Sequence, residues 1–207
     1  MTEPSVTLGQ PNDRALPSDY TAAIETTSRA YQALVRQVHP AVVQIVANRY
    51  TGLSASSGQG LRERRSSGSG VFLDSLGHIV TNAHVVRDAH AVYVRLAPPL
   101  RGAPGAQSVL PPQRKLVSAR VVGTDPETDL AVLHIEGTGY PHVSLGNSEA
   151  LRPGEVVFAF GSPLGLENSV SMGVVSATAR QLHPEDPMIY IQTDAPINPG
   201  SSGGPLV

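Results

Sequence analysis

The chain has 207 residues, a formal net charge of −2, 15% charged residues and no cysteine. That length accommodates one ordinary core or two small ones, and the near-neutral balance argues against nucleic-acid partners, which need clustered Lys and Arg. The missing thiols exclude disulfides, thiolate zinc sites and cysteine nucleophiles, and no stretch is long and apolar enough to span a bilayer as a helix.

Residues 1–17 are polar and carry Pro11 and Pro17, the composition of a disordered leader. They lack the basic start and apolar run of a signal peptide, which makes the cytoplasm the default compartment. A helix is expected over 18–39. Ser18 is placed to cap it, Asp19 falls in its first turn, Ile24, Tyr31, Leu34, Val35 and Val38 recur at helical spacing, and Pro40 ends it. Beyond Pro40 the pattern turns to short apolar runs separated by Gly, Pro and Ser. The runs 41–47, 70–74, 78–82, 91–96, 119–124 and 130–135 form a first group of strands, and 155–160, 168–178 and 188–193 begin a second. Residues 50–67, with Arg62, Arg64 and Arg65, and residues 97–115 read as loops, the arginines as a solvated cluster. Closely spaced strands without alternating helices imply an antiparallel all-β barrel architecture with one N-terminal helix.

The chemistry gathers at the end of the chain, in "TDAPINPGSSGGPLV" (193–207). Gly200 to Gly204 match G-x-S-x-G with Ser202 as nucleophile. An α/β-hydrolase, however, places its acid and histidine after the serine, and no His, Asp or Glu follows Ser202. The other arrangement has the partners before the serine, in the order His, Asp, Ser. Of seven histidines, His84 follows an apolar strand directly in "IVTNAHVV" (79–86), where an imidazole would sit at the end of a rigid strand. Taken alone, His84 reads more readily as a core-edge histidine than as a base. Asp125 precedes Pro126 and reads as a turn residue, whereas Asp129 leads into the strand 130–135, either as a strand-entry cap or as an acid held for a histidine N–H. No H-E-x-x-H and no histidine pair at ligand spacing is present, so neither a metal nor a cofactor is expected.

"TNAHVV" with His84, "TDLAVL" with Asp129 and the serine-bearing tail with Ser202, in that order, resemble the HtrA/Deg family of chymotrypsin-like serine endopeptidases. "HPAVVQI", "GSGVFLD", "FGSPLGL" and "SMGVVSA" extend the resemblance over roughly residues 30 to 207. It implies a double antiparallel β-barrel, the first over 40–139 and the second over 140–207, with the active site between them. It further implies His84, Asp129 and Ser202 as catalytic triad. The N–H groups of Gly200 and Ser202 become the oxyanion hole, such donors being worth about 3 kcal/mol each in the transition state, and Asp194, Pro196 and Ile197 become candidates for the substrate pocket. Ser201 stands where most relatives have Asn, and Pro196 where many have Ala. Substrates would be unfolded polypeptides cut after small aliphatic residues, and the full-length form a homo-oligomer, a trimer by resemblance, in a family often periplasmic or envelope-associated. The chain stops five residues after Ser202. The resemblance thus implies a second barrel lacking its closing strands, no PDZ domain, and an inactive 207-residue chain. The alternative reading is a catalytically silent, chaperone-like binding module.

Overall fold

The computed structural model describes residues 18–51, 62–97, 116–162, 169–181, 184–185 and 188–207. The expected leader, most of the loop over 97–115 and His183 lie outside them. Two compact units are present, Met1–Leu34 and Val35–Val207. The helix α1 (Ser18–Val38) has Asp19 in its first turn and Arg36 in its last, each complementing the helix dipole. A 3-10 turn, His39–Ala41, follows where Pro40 removes a backbone donor.

Six strands then close a barrel in the order β1-β2-β3-β6-β5-β4: β1 (Val42–Thr51), β2 (Arg62–Phe72), β3 (His78–Asn82), β4 (Ala91–Arg95), β5 (Val117–Asp125) and β6 (Leu130–His134). All pairings are antiparallel. Alternation decides what faces inward: Ile79 and Thr81 from β3, Val92 and Val94 from β4, and Ala131 and Leu133 from β6 are buried, and Ile45 and Phe72 complete the centre of the core. Closure removes free strand edges, the usual site of non-native pairing.

The polar stretch expected as a loop over 50–67 is strand at both ends. β1 and β2 pair in unbroken register from Val42↔Val71 to Thr51↔Arg62, which draws Arg64 and Arg65 into β2 opposite Arg49 and Asn48. Main-chain pairing to a neighbour is indifferent to side-chain polarity where the strand faces water, so composition alone reads such an extension as loop.

A second, three-stranded sheet has the order β7-β8-β9: β7 (Val156–Gly161), β8 (Ser169–Arg180) and β9 (Tyr190–Thr193). Residues 205–207 run antiparallel along the other side of β7. Phe160 N–H donates to the Pro205 carbonyl at 3.0 Å, and Phe158 and Val207 exchange bonds at 2.7 and 3.0 Å. The connection between barrel and sheet packs on the barrel through Tyr140, whose ring stacks on Phe72 with centroids 4.7 Å apart.

Candidate active site

His84 is the second residue of a one-turn helix, α2 (Ala83–Val86), rather than the end of a strand. Ala83, Val85 and Val86 are buried in the barrel core and fix the turn, leaving the imidazole as the half-exposed member. The first N–H groups of any helix lack internal partners, and here Asp129 supplies them. Its carbonyl accepts from Ala83 N–H at 2.9 Å and from the Asn82 side-chain amide at 3.0 Å, and its Oδ1 accepts from His84 N–H at 2.8 Å. At the other end of α2, Arg49 on β1 donates through Nη2 to the carbonyls of His84 and Val85 at 2.9 and 3.1 Å.

Asp129 Oδ2 then lies 2.6 Å from His84 Nδ1. A carboxylate only accepts, so Nδ1 carries the proton and Nε2 presents a lone pair outward. Partial burial works to raise the Asp129 pKa, but the bonds from the His84 ring and backbone N–H outweigh it and hold the carboxyl below its ordinary value. Asp129 sits at φ +54° at the end of the β5–β6 turn, a left-handed conformation that Asp tolerates better than most residues. Asp125, the other acid considered, accepts from Glu127 N–H at 3.0 Å and from the Thr128 hydroxyl at 2.8 Å within its own turn.

The Ser202 loop is bound to the barrel from below. Gly200 and Gly203 have φ of +102° and +86°, values that residues with a Cβ rarely adopt. Ser201 N–H donates to the Asn198 carbonyl and Gly204 N–H to the Ser201 carbonyl, both at 2.9 Å. Ser69 N–H donates to the Ser202 carbonyl at 2.7 Å, and the Ser69 hydroxyl to the Gly200 carbonyl at 2.7 Å. Among the described residues, nothing takes the N–H groups of Gly200 and Ser202. Gly68 is where the two halves converge: a Cβ there would meet Val85 Cγ2 at 2.7 Å and the Ser202 carbonyl at 3.1 Å, so the histidine-bearing turn and the serine loop flank one glycine. No hydrogen bond joins Ser202 Oγ to His84 among the described residues.

Asp194 is turned onto main chain, its Oδ1 accepting from Val174 N–H at 2.7 Å. The Pro196 carbonyl accepts from the Ser171 hydroxyl at 2.6 Å, and Ile197 is 64% exposed. Motif reading did not single out Ser69, Arg49 or Asn82. Ser69 and Asn82 lie inside quoted motifs, "GSG" and "TNAH", but Arg49 acts across 35 residues with no local signal.

A trypsin-like peptidase domain model matches residues 68–207. The chain is 46% identical over 145 residues to a DegP-like periplasmic serine endoprotease of Pseudomonas putida, covering 70% of this chain and 27% of that protein. A similarly named protein of Marinomonas is 43% identical over 144 residues, with 70% and 28% covered. Among solved structures, the HtrA-type protease AlgW with tripeptide superposes with TM-score 0.68 at 35% identity, over 86% of this chain and 50% of that one. AlgW with decapeptide gives 0.67 and 33%, over 86% and 55%. The chain thus spans about a quarter of the length of the curated relatives it matches. The cytoplasmic default fails against these relatives, which are named as periplasmic. It rested on the composition of 17 residues, which carries no positive sign of any compartment.

Proposed function

Because the chain belongs to the trypsin-like serine peptidases, in their HtrA/Deg branch, we propose that it is the catalytic domain of a periplasmic serine endopeptidase acting on unfolded polypeptides. The observation that carries this reading is the Asp129–His84 pair at 2.6 Å, with Nε2 left free, on the same barrel that grips the Ser202 loop. In this reading Ser202 Oγ attacks the scissile carbonyl and His84 Nε2 takes its proton. The negative charge that develops on the carbonyl oxygen is received by the N–H groups of Gly200 and Ser202, while their neighbours Ser201 and Gly204 are engaged within the loop. Collapse expels the amine, protonated by His84, and water repeats the sequence on the acyl-enzyme. Asp129, kept ionised by its bonds to His84, holds the tautomer and stabilises the imidazolium. Catalytic contacts between serine and histidine often close up only with substrate present, which accommodates the absence of a Ser202–His84 hydrogen bond among the described residues.

Pocket chemistry supports a preference for small aliphatic residues such as Val, Ala or Ile. Ile197, 64% exposed, presents an apolar side chain, and one oxygen of Asp194 is engaged by Val174 N–H on β8. The homo-oligomer, a trimer, belongs to the same proposal and is checked by light scattering. The test of the activity, made on the full-length form, is twofold: a fluorophosphonate should label Ser202, and unfolded casein should be cut after small aliphatic residues. Labelling elsewhere, or preferential cleavage after Lys or Arg, counts against the assignment.

A further inference from the structure

Ser69 on β2 is fully buried, with 0% of its surface exposed, and touches both sides of the proposed nucleophile. A hydroxyl has one proton and two lone pairs. Here it accepts from Ser162 N–H at 2.8 Å and lies 2.7 Å from the Gly200 carbonyl. Ser162 follows directly on β7 and is itself 2% exposed. An amide N–H only donates and a carbonyl only accepts, so the hydroxyl proton has one destination, and the relay runs from Ser162 N–H through Ser69 Oγ to Gly200 C=O. The main chain of Ser69 is fixed as firmly. Its N–H donates to the Ser202 carbonyl at 2.7 Å, and its carbonyl accepts from the buried Thr81 hydroxyl at 2.6 Å.

Together with the bonds inside the loop, these contacts hold three successive peptide planes. The carbonyl of Gly200 is held by the Ser69 hydroxyl, that of Ser201 by Gly204 N–H, and that of Ser202 by Ser69 N–H. The plane between Gly200 and Ser201 is anchored at both ends, since Ser201 N–H is tied to the Asn198 carbonyl. What stays unclaimed is the pair of N–H groups, on Gly200 and Ser202, assigned to the oxyanion. Within this loop, the Ser69 hydroxyl is the side chain that sets Gly200 at its positive φ. Without it, the torsions of Gly200 are released, and the adjoining Pro199–Gly200 plane, which carries the Gly200 N–H, can turn away from the Ser202 donor.

We propose that Ser69 is a positioning residue for catalysis, its hydroxyl linking the end of β7 to the Gly200 carbonyl so that both oxyanion donors are preset before substrate arrives. This rests on the endopeptidase reading above. The role is to aim donors at charge that exists only in the transition state, so its loss falls on kcat and leaves ground-state binding and the imidazole untouched.

The experiment compares, in the full-length enzyme, wild type with Ser69→Ala and Ser69→Cys, the latter keeping the size of the side chain while weakening its hydrogen bonds. Fluorophosphonate labelling of Ser202 and peptide turnover should fall roughly 100-fold in Ser69→Ala, the range set by losing one oxyanion donor, and less in Ser69→Cys. KM should stay within about twofold and the pH profile, which reports the His84–Asp129 pair, should keep its shape. Affinity for a peptide aldehyde, whose adduct carries an oxyanion, should fall in step with kcat. Should Ser69→Ala fail to fold, Ser69→Cys carries the same comparison. Wild-type protein that takes no fluorophosphonate overturns the endopeptidase reading and this role with it. Wild type that labels while a folded Ser69 variant labels as fast overturns the role of Ser69 alone, as does a loss confined to KM.

Discussion

Two aspartate–histidine pairs on the first barrel are alike in local geometry. Asp129 meets His84 Nδ1 at 2.6 Å and accepts the backbone N–H of the same histidine at 2.8 Å; Asp74 meets His78 Nδ1 at 2.7 Å and accepts the His78 N–H at 3.1 Å. Each carboxyl is held below its ordinary pKa by those bonds, against desolvation that works the other way. The difference lies in assembly. Asp74 and His78 are four residues apart in the β2–β3 turn, where Asp74 also accepts Leu76 N–H, so the pair closes a turn locally. Asp129 and His84 are 45 residues apart, and Asp129 is gripped by main chain and side chain alike at the head of α2. Only this second pair shares Gly68 with the serine loop. The same local geometry arises in a turn and across the barrel; the proposed base differs in its tertiary placement, with Gly68 between it and the serine loop.

The sharpest way to break the comparison is to remove each histidine. His84→Ala or Ser202→Ala should lower kcat by about 10⁴-fold or more, with little further loss when combined, because the triad acts as a unit. Asp129→Asn should cost a similar factor through the wrong tautomer. His78→Ala and Asp74→Asn should leave turnover of a peptide substrate within about twofold. Equal losses from the two pairs, or losses that multiply between His84 and Ser202, would mean the roles are wrongly divided.

A smaller effect is expected at Arg49, which has no counterpart in the Asp74–His78 turn. Arg49→Met keeps the aliphatic stem and deletes the bonds to the His84 and Val85 carbonyls. It should destabilise the fold by about 1–3 kcal/mol, as expected for hydrogen bonds to a charged group, and reduce kcat roughly tenfold by loosening α2. Thermal unfolding and steady-state kinetics check both; unchanged kcat in a folded variant would show that α2 is held by its buried valines alone.

How far these features were legible in the sequence follows from their range. β3 is read to the residue because strict alternation and flanking turns mark it within five positions. The ends of β1 and β2 are not, because pairing partners lie across the loop and the polar residues 62–66 carry no alternation signal. His84, Asp129 and Ser202 are singled out by chain order and family motifs, but the one-turn helix under His84 and the left-handed backbone of Asp129 come from contacts the sequence does not display. Ser69 was visible only as the middle of "GSG"; its meaning depends on Gly200, 131 residues away.

Acid should affect the two pairs alike in stability and differently in function. Both carboxyls bind protons more weakly folded than unfolded, so their stabilisation is fully present above the ordinary Asp value near 4 and is lost as pH falls through the lower folded-state values. Thermal midpoints should decline below about pH 4, and Asp129→Asn and Asp74→Asn should each flatten the decline. A slope that neither variant alters would place the acid sensitivity in other groups.

The smallest expected effect is at Asp125, four residues before Asp129 and similarly placed at the β5–β6 turn. Its pKa is also lowered, first by the Thr128 hydroxyl and then by Glu127 N–H, but no imidazole is among its hydrogen-bond partners. Asparagine retains an acceptor oxygen for either bond, so Asp125→Asn should shift stability by no more than about 0.5 kcal/mol, as for most surface substitutions. It should leave kcat unchanged, because no atom of Asp125 bonds to α2. The variant is to be assayed beside Asp129→Asn under identical conditions. A loss at Asp125 matching that at Asp129 would mean that the turn as a whole, rather than one carboxylate, orients His84, and the contrast between a local and a tertiary aspartate would fail at its strongest point.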